Sequence, residues 1–449
     1  MIIIKTYQDL IAVGENERAR MEFILDAVSD YKGTTEYATA VDAEEYYAHR
    51  NPTIMRYQKF VFNQFGKKVP DVWSANNKIA SNWYEYFTTQ AVQYLLGNGV
   101  SFKNKATKDK LGKKFDKKMQ DAATYAKNGG RSYLFWNNGT VEVFNATEFV
   151  PFLDEETSAL MAGVRFWQIA DDKPLRMTLY EVDGVTEYVK KDKEEVKLLK
   201  EKTPYVTKGR VSKADGVEIT GAVNYKKLPI VCMYNVKKQS DLVGNQGTID
   251  AYDLMTSGLV NNVSDGEFIY WILKNCGGMS DMDDVQFYER LRTTHVAHAD
   301  GDGGDAEVKA HQVDVPFEAS AEALDRLEKQ LYRDFMALRV DDVAAGATND
   351  QIQAAYEPLN QKTDDFEYCV TDAIESLLEI AGIDDAPTYT RSQMSNQTET
   401  MNMVLAAAQY LDEEYVTKKI LTLLGDADMV EEVMQRKVAD ESTRFDEEE

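Results

Sequence analysis

Acidic residues between positions 281 and 307 are the first candidates for chemistry in this chain. Asp281, Asp283 and Asp284 form a carboxylate cluster of the kind that a two-metal nuclease requires. No other motif in the sequence converges with this cluster, so a flexible acidic loop is the simpler interpretation. A metal-dependent nuclease that uses residues 281–307 stays open as an alternative function.

Two further patterns in the same region fall short of a metal site. Residues 300–307 resemble a calcium loop, but Gly304 and Asp305 stand where an oxygen ligand and a glycine are required. His295 and His298 form an HxxH pattern, yet on a strand their rings would point to opposite faces because side chains alternate. We therefore predict no metal ion and no cofactor.

Signatures of nucleotide hydrolysis are absent from the sequence. The GxxxxGK[ST] phosphate loop does not occur, because Gly66-Lys67 and Gly112-Lys113 both lack the upstream glycine. GxSxG, HExxH and zinc spacings of Cys and His are also missing. The 3 cysteines are far apart and form no CxxC, which fits a reducing cytoplasm. The sequence thus predicts a protein that is not an enzyme.

A run of lysines forms a second candidate site. Residues 103–118 contain eight lysines and two aspartates. On one helix over 107–127, five of these lysines would share a face: Lys110, Lys113, Lys114, Lys117 and Lys118. A solvated helix face is one interpretation, and contact with nucleic acid or an acidic partner is the other. Arginines and interleaved aromatic residues are missing, which argues against specific recognition of nucleic acid.

Charge divides the 449-residue chain into two parts. Residues 1–240 hold 36 basic and 31 acidic side chains, whereas residues 241–449 hold 15 and 45. The net charge of −25 is unsuited to tight binding of phosphates by counterion release. No apolar run approaches the roughly 18–20 residues that span a bilayer, so we expect no membrane partner.

Hydrophobic periodicity predicts helices followed by a small meander of strands in the N-terminal half. The predicted helices are 17–49, 76–96 and 107–127, and the predicted strands are a hairpin over 132–148, then 162–169, 176–183 and 185–190. Residues 191–228 are charged and turn-rich. The fold class is therefore α+β.

The C-terminal half is mainly helical in the same prediction. A short buried strand at 228–235 precedes a long helix over 248–274, and loop and strand follow over 275–316. Further helices are predicted at 320–340 and 349–381, and Pro358 should kink the second of these. Residues 382–449 hold two more helices and an acidic tail.

The order of four short segments resembles that of tailed-phage portal proteins. The motifs are NNKI with YLLGNGV, LPIV with YN, DL and IDAYD, NNVSD, and YEPLNQK. They lie at 76–100, 228–253, 261–265 and 356–362. The resemblance covers roughly residues 40–380, and the order and spacing of the motifs carry it.

This resemblance implies the portal fold, whose parts are called wing, stem, clip, tunnel loop and crown. It would place the wing at 1–236, the first stem helix at 237–273, the clip at 274–318, the second stem helix at 319–340, the tunnel loop and a kinked wing helix at 341–381, and the crown with the acidic tail at 382–449. The tunnel loop would contact passing DNA. Its residues are Asp341, Asp342, Val343, Ala344, Ala345, Gly346, Ala347, Thr348 and Asn349.

The function implied is a ring-shaped channel at one capsid vertex, through which double-stranded DNA is packaged and ejected. The implied partners are other copies of the chain in a dodecameric ring, DNA, the terminase motor, the major capsid or scaffolding protein and a head-tail adaptor. The location would be the virion, and the host cytoplasm during assembly. An acidic structural adaptor that does not conduct DNA remains a further alternative to this function.

Overall fold

The computed structural model describes residues 5–62, 66–72, 74–191, 194–213, 216–265, 269–274, 307–312, 317–342, 347–393, 396–426, 429–430 and 432–436. Helices and antiparallel strands are mixed along the chain, which confirms the predicted α+β class. The chain divides into two compact units. One unit contains Met1–Ala43, Tyr86–Val243 and Tyr332–Glu449, and the other contains Glu44–Glu85 and Gly244–Leu331.

The described residues form helices throughout the chain. In order, they are α1 Tyr7–Val13, α2 Glu17–Lys32, α3 Thr35–Tyr47, α4 Pro52–Arg56, α5 Trp83–Leu96, α6 Lys105–Leu111, α7 Phe115–Gly129, α8 Gln246–Asp265, α9 Phe317–Asp334, α10 Asn349–Ala381, α11 Gln397–Ala407 and α12 Glu413–Leu424. Among the described residues, no helix combines the length and the apolar character that a membrane crossing requires.

The strands lie mostly in the first unit. They are β1 Phe60–Phe62, β2 Lys68–Pro70, β3 Val100–Phe102, β4 Arg131–Trp136, β5 Val141–Asn145, β6 Phe149–Leu153, β7 Leu160–Trp167, β8 Leu175–Glu181, β9 Gly184–Lys190, β10 Lys197–Thr203, β11 Val206–Lys213, β12 Gly216–Val223, β13 Ile230–Tyr234, β14 Ile269–Lys274, β15 Glu307–Gln312 and β16 Pro387–Tyr389.

Two sheets form the centre of the first unit. One has the strand order β10-β9-β8-β7-β6, and the other has the order β13-β4-β5. The predicted hairpin over 132–148 and the predicted strands β7 to β9 and β13 are confirmed. The prediction of turns over 191–228 is wrong, since β10, β11 and β12 lie there. Charged, exposed strands such as β10 lack the apolar alternation by which strands are predicted.

Hydrophobic clusters hold helices against both sheets. In one cluster, α7 and α10 pack on the three-stranded sheet, and Met119, Leu134 and Ile374 are fully buried. In another, α1 and α2 cover the five-stranded sheet through residues such as Ile24 and Leu179. Burial of each large apolar side chain contributes about 1.5–3 kcal/mol, so these clusters fix the helices on the sheets.

The predicted helix over 17–49 is two helices in the structure. α2 ends at Lys32, and α3 begins after Thr34, whose Oγ1 accepts a hydrogen bond from the Tyr37 amide at 3.2 Å. A threonine in this position is an N-cap, and it restarts the helix after Gly33. The short helix α1 was absent from the prediction.

The second unit contains α4, the hairpin β1-β2, α8 and the hairpin β14-β15. The predicted helix over 248–274 is wrong in its last part, because α8 ends at Asp265 and residues 269–274 pair with β15. Their sequence, IYWILK, is β-branched and aromatic, which favours a strand. The predicted start of α5 at residue 76 is also wrong, because α5 begins at Trp83.

The C-terminal helices agree better with the prediction. α10 spans Asn349–Ala381 as predicted and continues through Pro358. α11 and α12 are the two helices predicted after residue 382. α9 starts at Phe317 and ends at Asp334, six residues short of the predicted end at 340.

Candidate functional site: the two ends of the predicted tunnel loop

The structure describes the two ends of the predicted tunnel loop, which spans 341–349. Its first two residues belong to the short 3-10 turn Val340–Asp342. Residues 343–346 lie outside the described residues. Of residues 347–349, the first is buried, the second is the N-cap of α10 and the third begins that helix. We call Leu338 together with 347–349 the loop base.

On its N-terminal side, the loop base is held by Gln90 of α5. The Gln90 Nε2 donates to the Leu338 carbonyl at 2.9 Å, and the Gln90 Oε1 accepts from the Leu338 amide at 2.9 Å. The Gln90 side chain thus forms the same two hydrogen bonds with the Leu338 backbone that a residue on a neighbouring antiparallel strand would form. α9 itself ends before this point, because Met336 takes a left-handed conformation with a φ of +50° and the amides of Met336 and Ala337 bond back to the carbonyls of Arg333 and Tyr332.

A hydrophobic cluster joins both sides of the loop base. Leu338 and Ala347 are 5% and 8% exposed and belong to the same cluster. In it, the ring of Tyr94 stacks on that of Tyr356, with centroids 5.4 Å apart. The other members of the cluster are Ala91, Ile352 and Leu359. The segment therefore leaves the core and returns to it at one place.

On its C-terminal side, the loop base is bonded to the start of α11. The Asn349 amide donates to Glu399 Oε2 at 2.7 Å, and the Asn349 Oδ1 accepts from the Asn396 amide at 2.9 Å. Asn396 Nδ2 also donates to the Ala347 carbonyl at 3.0 Å, and Asn349 Nδ2 donates to Thr400 Oγ1 at 3.3 Å. Four hydrogen bonds thus fix the point at which the chain enters α10.

The sequence interpretation did not identify Gln90, Asn396 or Glu399 as members of this site. A signal for two of them exists, since Asn396 and Glu399 form the N-x-x-E pattern that marks the start of a helix. No local pattern marks Gln90, whose partner lies far away in the sequence.

A buried ionic cluster, also in the first unit, positions the middle of α10. Asp241 lies 3.4 Å from Lys127 of α7 and 3.0 Å from Lys362 of α10. Asn235 Nδ2 donates to the same carboxylate at 2.7 Å. The Lys127 ammonium also lies 4.1 Å from the centroid of the Phe366 ring. One aspartate therefore connects α7, α10 and the segment after β13.

Burial and pairing shift the pKa values in this cluster in a consistent way. Burial lowers the pKa of Lys127 from 10.5 to about 8, although the neighbouring Asp241 carboxylate opposes the shift. Burial alone would raise the pKa of Asp241, but Lys127 and Lys362 outweigh it and hold that pKa below its ordinary value. The aspartate thus stays ionised at neutral pH, which matches its role as a shared partner of two lysines.

In the second unit, one side of α8 binds an extended segment that precedes α5. Asp253 accepts from the Ser81 amide at 2.9 Å, and Ser257 accepts from the Ile79 amide at 3.0 Å. Asn261 accepts from the Asn77 amide at 2.7 Å and donates to the Asn77 carbonyl at 3.2 Å. We call these contacts the α8 ladder.

The α8 ladder explains why residues 76–82 are not helical. Side chains of α8 bond the backbone amides that an extension of α5 would direct to its own carbonyls. The ladder continues to Asp250, which accepts hydrogen bonds from Tyr46 and from Thr53. Asn51 and Asp253 are both fully buried and bonded to each other. Burial raises the pKa of Asp253.

The five lysines of the predicted basic face do not share one helix. The predicted helix over 107–127 is interrupted at Gly112, whose φ of +93° is a conformation that other residues rarely adopt. Lys110 therefore lies on α6, Lys117 and Lys118 lie on α7, and Lys113 and Lys114 lie between the helices. Four of the five are exposed and Lys118 is half-buried, and Lys117 pairs with Asp121 at 2.9 Å.

The candidate metal residues 281–306 lie outside the described residues. In the described part of the chain, no group of three or more His, Cys, Asp or Glu residues is arranged to hold a metal ion.

Comparison with known proteins matches the chain to one family. The family described as "Phage portal protein, SPP1 Gp6-like" matches residues 26–443. A portal protein of Clostridium phage phiCD119 is 25% identical, and the match covers 91% of this chain and 96% of that protein. A portal protein of Bacillus phage SPP1 is 24% identical, and the match covers 71% of this chain and 64% of that protein.

Among solved structures, two chains from gene transfer agent particles are similar. One comes from the neck of a native particle with C12 symmetry, with 10% identity, a TM-score of 0.41 and coverage of 76% of this chain and 90% of that chain. The other comes from the virion of a native particle, with 8% identity, a TM-score of 0.42 and coverage of 76% and 89%.

Proposed function

This chain belongs to the phage portal protein family of the SPP1 Gp6-like type, and we propose that it forms a ring-shaped channel for double-stranded DNA at one vertex of the capsid. DNA would enter through the ring during packaging and leave through it during ejection. The observation that carries the proposal is the loop base. The chain leaves one buried cluster at Leu338 and returns to it at Ala347. The segment between them, which holds most of the predicted tunnel loop 341–349, is therefore attached to the same cluster at both ends.

The residues that carry the resemblance to portal proteins occupy the two polar networks of the structure. Asn77, Asp253 and Asn261 belong to the α8 ladder. Asp241 and Lys362 belong to the buried ionic cluster. The motifs that resemble those of portal proteins therefore help to position two helices. α8 precedes the predicted clip, and α10 follows the predicted tunnel loop.

Exposed apolar surface supports assembly with further copies of the chain. α11 buries no residue at all, and Met403 on it is 62% exposed. On the hairpin β1-β2, Phe62 is 75% exposed, and a two-stranded hairpin alone is marginally stable in water. In a closed ring each subunit would cover such surfaces with a different face of its neighbour. The dodecameric number rests on the family.

The charge of the chain suits passage of DNA better than binding of DNA. Each copy contributes a net charge of −25, and the excess of carboxylates lies in residues 241–449. Repulsion between carboxylates and phosphates would keep the duplex from adhering to a channel wall. The small side chains at 343–346 would touch DNA without reading its sequence, because reading requires groups that reach the base edges.

In this proposal the chain itself is not an enzyme. Transport energy would come from a separate ATPase, the terminase motor, which would dock on the ring. The basic region Lys110, Lys113, Lys114, Lys117 and Lys118 offers a docking surface for an acidic partner such as a capsid, scaffolding or adaptor protein. The ring would be located in the virion, and in the host cytoplasm during assembly.

The introduction of positive charge into the tunnel loop tests the channel function. Particles assembled with Ala344→Lys and Ala345→Lys would carry a ring of cations that binds phosphates. We expect slower packaging in vitro than with the matched variant Ala344→Ser and Ala345→Ser. Higher salt should restore the rate, because phosphate binding weakens as salt rises. Equal packaging rates for both variants at low salt would contradict the proposal.

A further inference from the structure

The N-termini of α10 and α11 are linked by hydrogen bonds between the side chains of each and the backbone of the other. In an ordinary capping box, the residue at the third helical position accepts a hydrogen bond from the amide of its own N-cap residue. Glu399 occupies that position of α11, but its carboxylate accepts instead from the amide of Asn349, the first residue of α10. The amide of the N-cap residue Asn396 donates to the Asn349 side chain. Each helix keeps its own N-cap residue, Thr348 or Asn396, and these two bonds link the helix starts in addition.

These linking bonds come in addition to the ordinary caps of the helices. Thr348 and Gln351 form a complete capping box within α10. Asp412 caps α12 by accepting from the Tyr415 amide at 3.4 Å, and no hydrogen bond links it to the loop base. The hydrogen bonds between the two helix starts therefore do more than satisfy one helix end. They join α11 to the residue at which the loop segment becomes α10.

α11 is attached to the rest of its own unit by few apolar contacts. None of its residues is buried, although Met403 and Leu405 are apolar. Hydrogen bonds at its first turn, from Asn396, Glu399 and Thr400, are therefore a large share of what orients it. In return, any force that displaces α11 acts on Ala347 and Asn349 through the same bonds.

We propose that Asn396 and Glu399 are positioning residues that set the conformation of the loop base, so that the position of α11 controls how the loop segment enters α10. One consequence of this inference rests on the proposed function: contacts between α11 and neighbouring copies of the chain would influence the loop that faces DNA. The joint itself depends only on the hydrogen bonds described above.

Hydrogen–deuterium exchange on the assembled full-length protein tests the joint. In Glu399→Ala, the Asn349 amide loses its acceptor, and we expect exchange of the amides of 347–352 to be about tenfold faster. Asn396→Asp keeps the N-cap oxygen of α11, removes the donor to the Ala347 carbonyl and adds a negative charge beside that carbonyl, so it disrupts the joint without uncapping the helix. We expect it to raise the exchange rate about threefold. Asp412→Ala removes a cap of similar kind and should leave 347–352 unchanged.

The outcomes separate a joint from an ordinary helix cap. Faster exchange at 347–352 in Glu399→Ala and Asn396→Asp, but not in Asp412→Ala, supports the joint. Unchanged exchange in both joint variants overturns it, and so does an equal increase in Asp412→Ala.

Packaging assays then separate the joint from the channel. If Ala344→Lys with Ala345→Lys leaves packaging normal while Glu399→Ala speeds exchange, the channel function fails and the joint stands. If the lysine variant slows packaging while exchange in Glu399→Ala is unchanged, the joint fails and the channel stands.

Discussion

Lys362 of α10 forms an ion pair of 3.0 Å with Asp241, which follows β13, and this contact fixes the long helix after the loop against the body of its unit. Asp241 serves Lys127 at the same time, so its removal leaves two buried or half-buried ammonium groups without their shared partner. Removal of one member of a buried pair costs about 3–5 kcal/mol.

We predict such a loss of unfolding free energy for Asp241→Ala, measured by urea denaturation at neutral pH. The exposed pair of Glu194 and Lys197, with a distance of 2.6 Å, provides the control. Glu194→Ala should cost less than about 1 kcal/mol, because solvent screens that pair. Similar losses in both variants would show that the cluster does not hold α10.

The pKa of Lys127 predicts a pH dependence with a defined sign. In the folded chain this lysine releases its proton at about pH 8, whereas its ordinary value is 10.5. Between these values the unfolded chain binds more protons than the folded chain, so stability from this residue rises with pH, by at most about 1.4 kcal/mol per pH unit. Lys127→Met should abolish that rise relative to the original chain. Identical slopes of stability against pH in both proteins would contradict this.

The α8 ladder predicts a measurable loss of stability when one of its polar side chains is removed. Asn261→Ala removes two hydrogen bonds to the backbone of Asn77, and because Asn77 is exposed and water can replace them, we expect a cost of about 0.5–1.5 kcal/mol per bond. Leu254→Ala on the same helix is the control, since Leu254 is 45% exposed. Urea unfolding followed by tryptophan fluorescence would compare the two. If Asn261→Ala lowers the free energy of unfolding no more than Leu254→Ala does, the α8 ladder does not stabilise the fold.

The two hydrogen bonds between the Gln90 side chain and the Leu338 backbone, which we call the Gln90 clamp, predict a local effect on the loop base. Gln90→Glu keeps an acceptor for the Leu338 amide but loses the donor to its carbonyl, whereas Gln90→Ala loses both. Exchange of the Leu338 amide should therefore be fastest in Gln90→Ala and intermediate in Gln90→Glu. An order in which Gln90→Glu exchanges fastest would contradict the clamp geometry.

Sequence patterns located most of the helices and strands, but they misplaced several helix boundaries and missed the polar junctions. α10 was predicted over its full range because apolar residues recur at helical spacing along it. Residues 76–82 were predicted as helix because Ile79 continues the apolar spacing of α5. Side chains of α8 that are distant in sequence bind their backbone instead, and local patterns carry no information about such contacts.

The same reason applies to the candidate site. The composition of 341–349 indicated a loop of small residues, and α10 begins where that loop was expected to end. Gln90, Asn396 and Glu399 were not predicted as members, because they act through hydrogen bonds to residues that only the fold brings near. The lysines at 110–118 were predicted on one helix, but the backbone conformation at Gly112 divides them between two.

The measurement that tests the central claim most directly is negative-stain electron microscopy of the purified protein, together with its mass from light scattering. The account predicts closed rings whose central hole is wide enough for a DNA duplex, at many times the 50.9 kDa mass of one chain. A compact dimer without a hole would contradict the channel function.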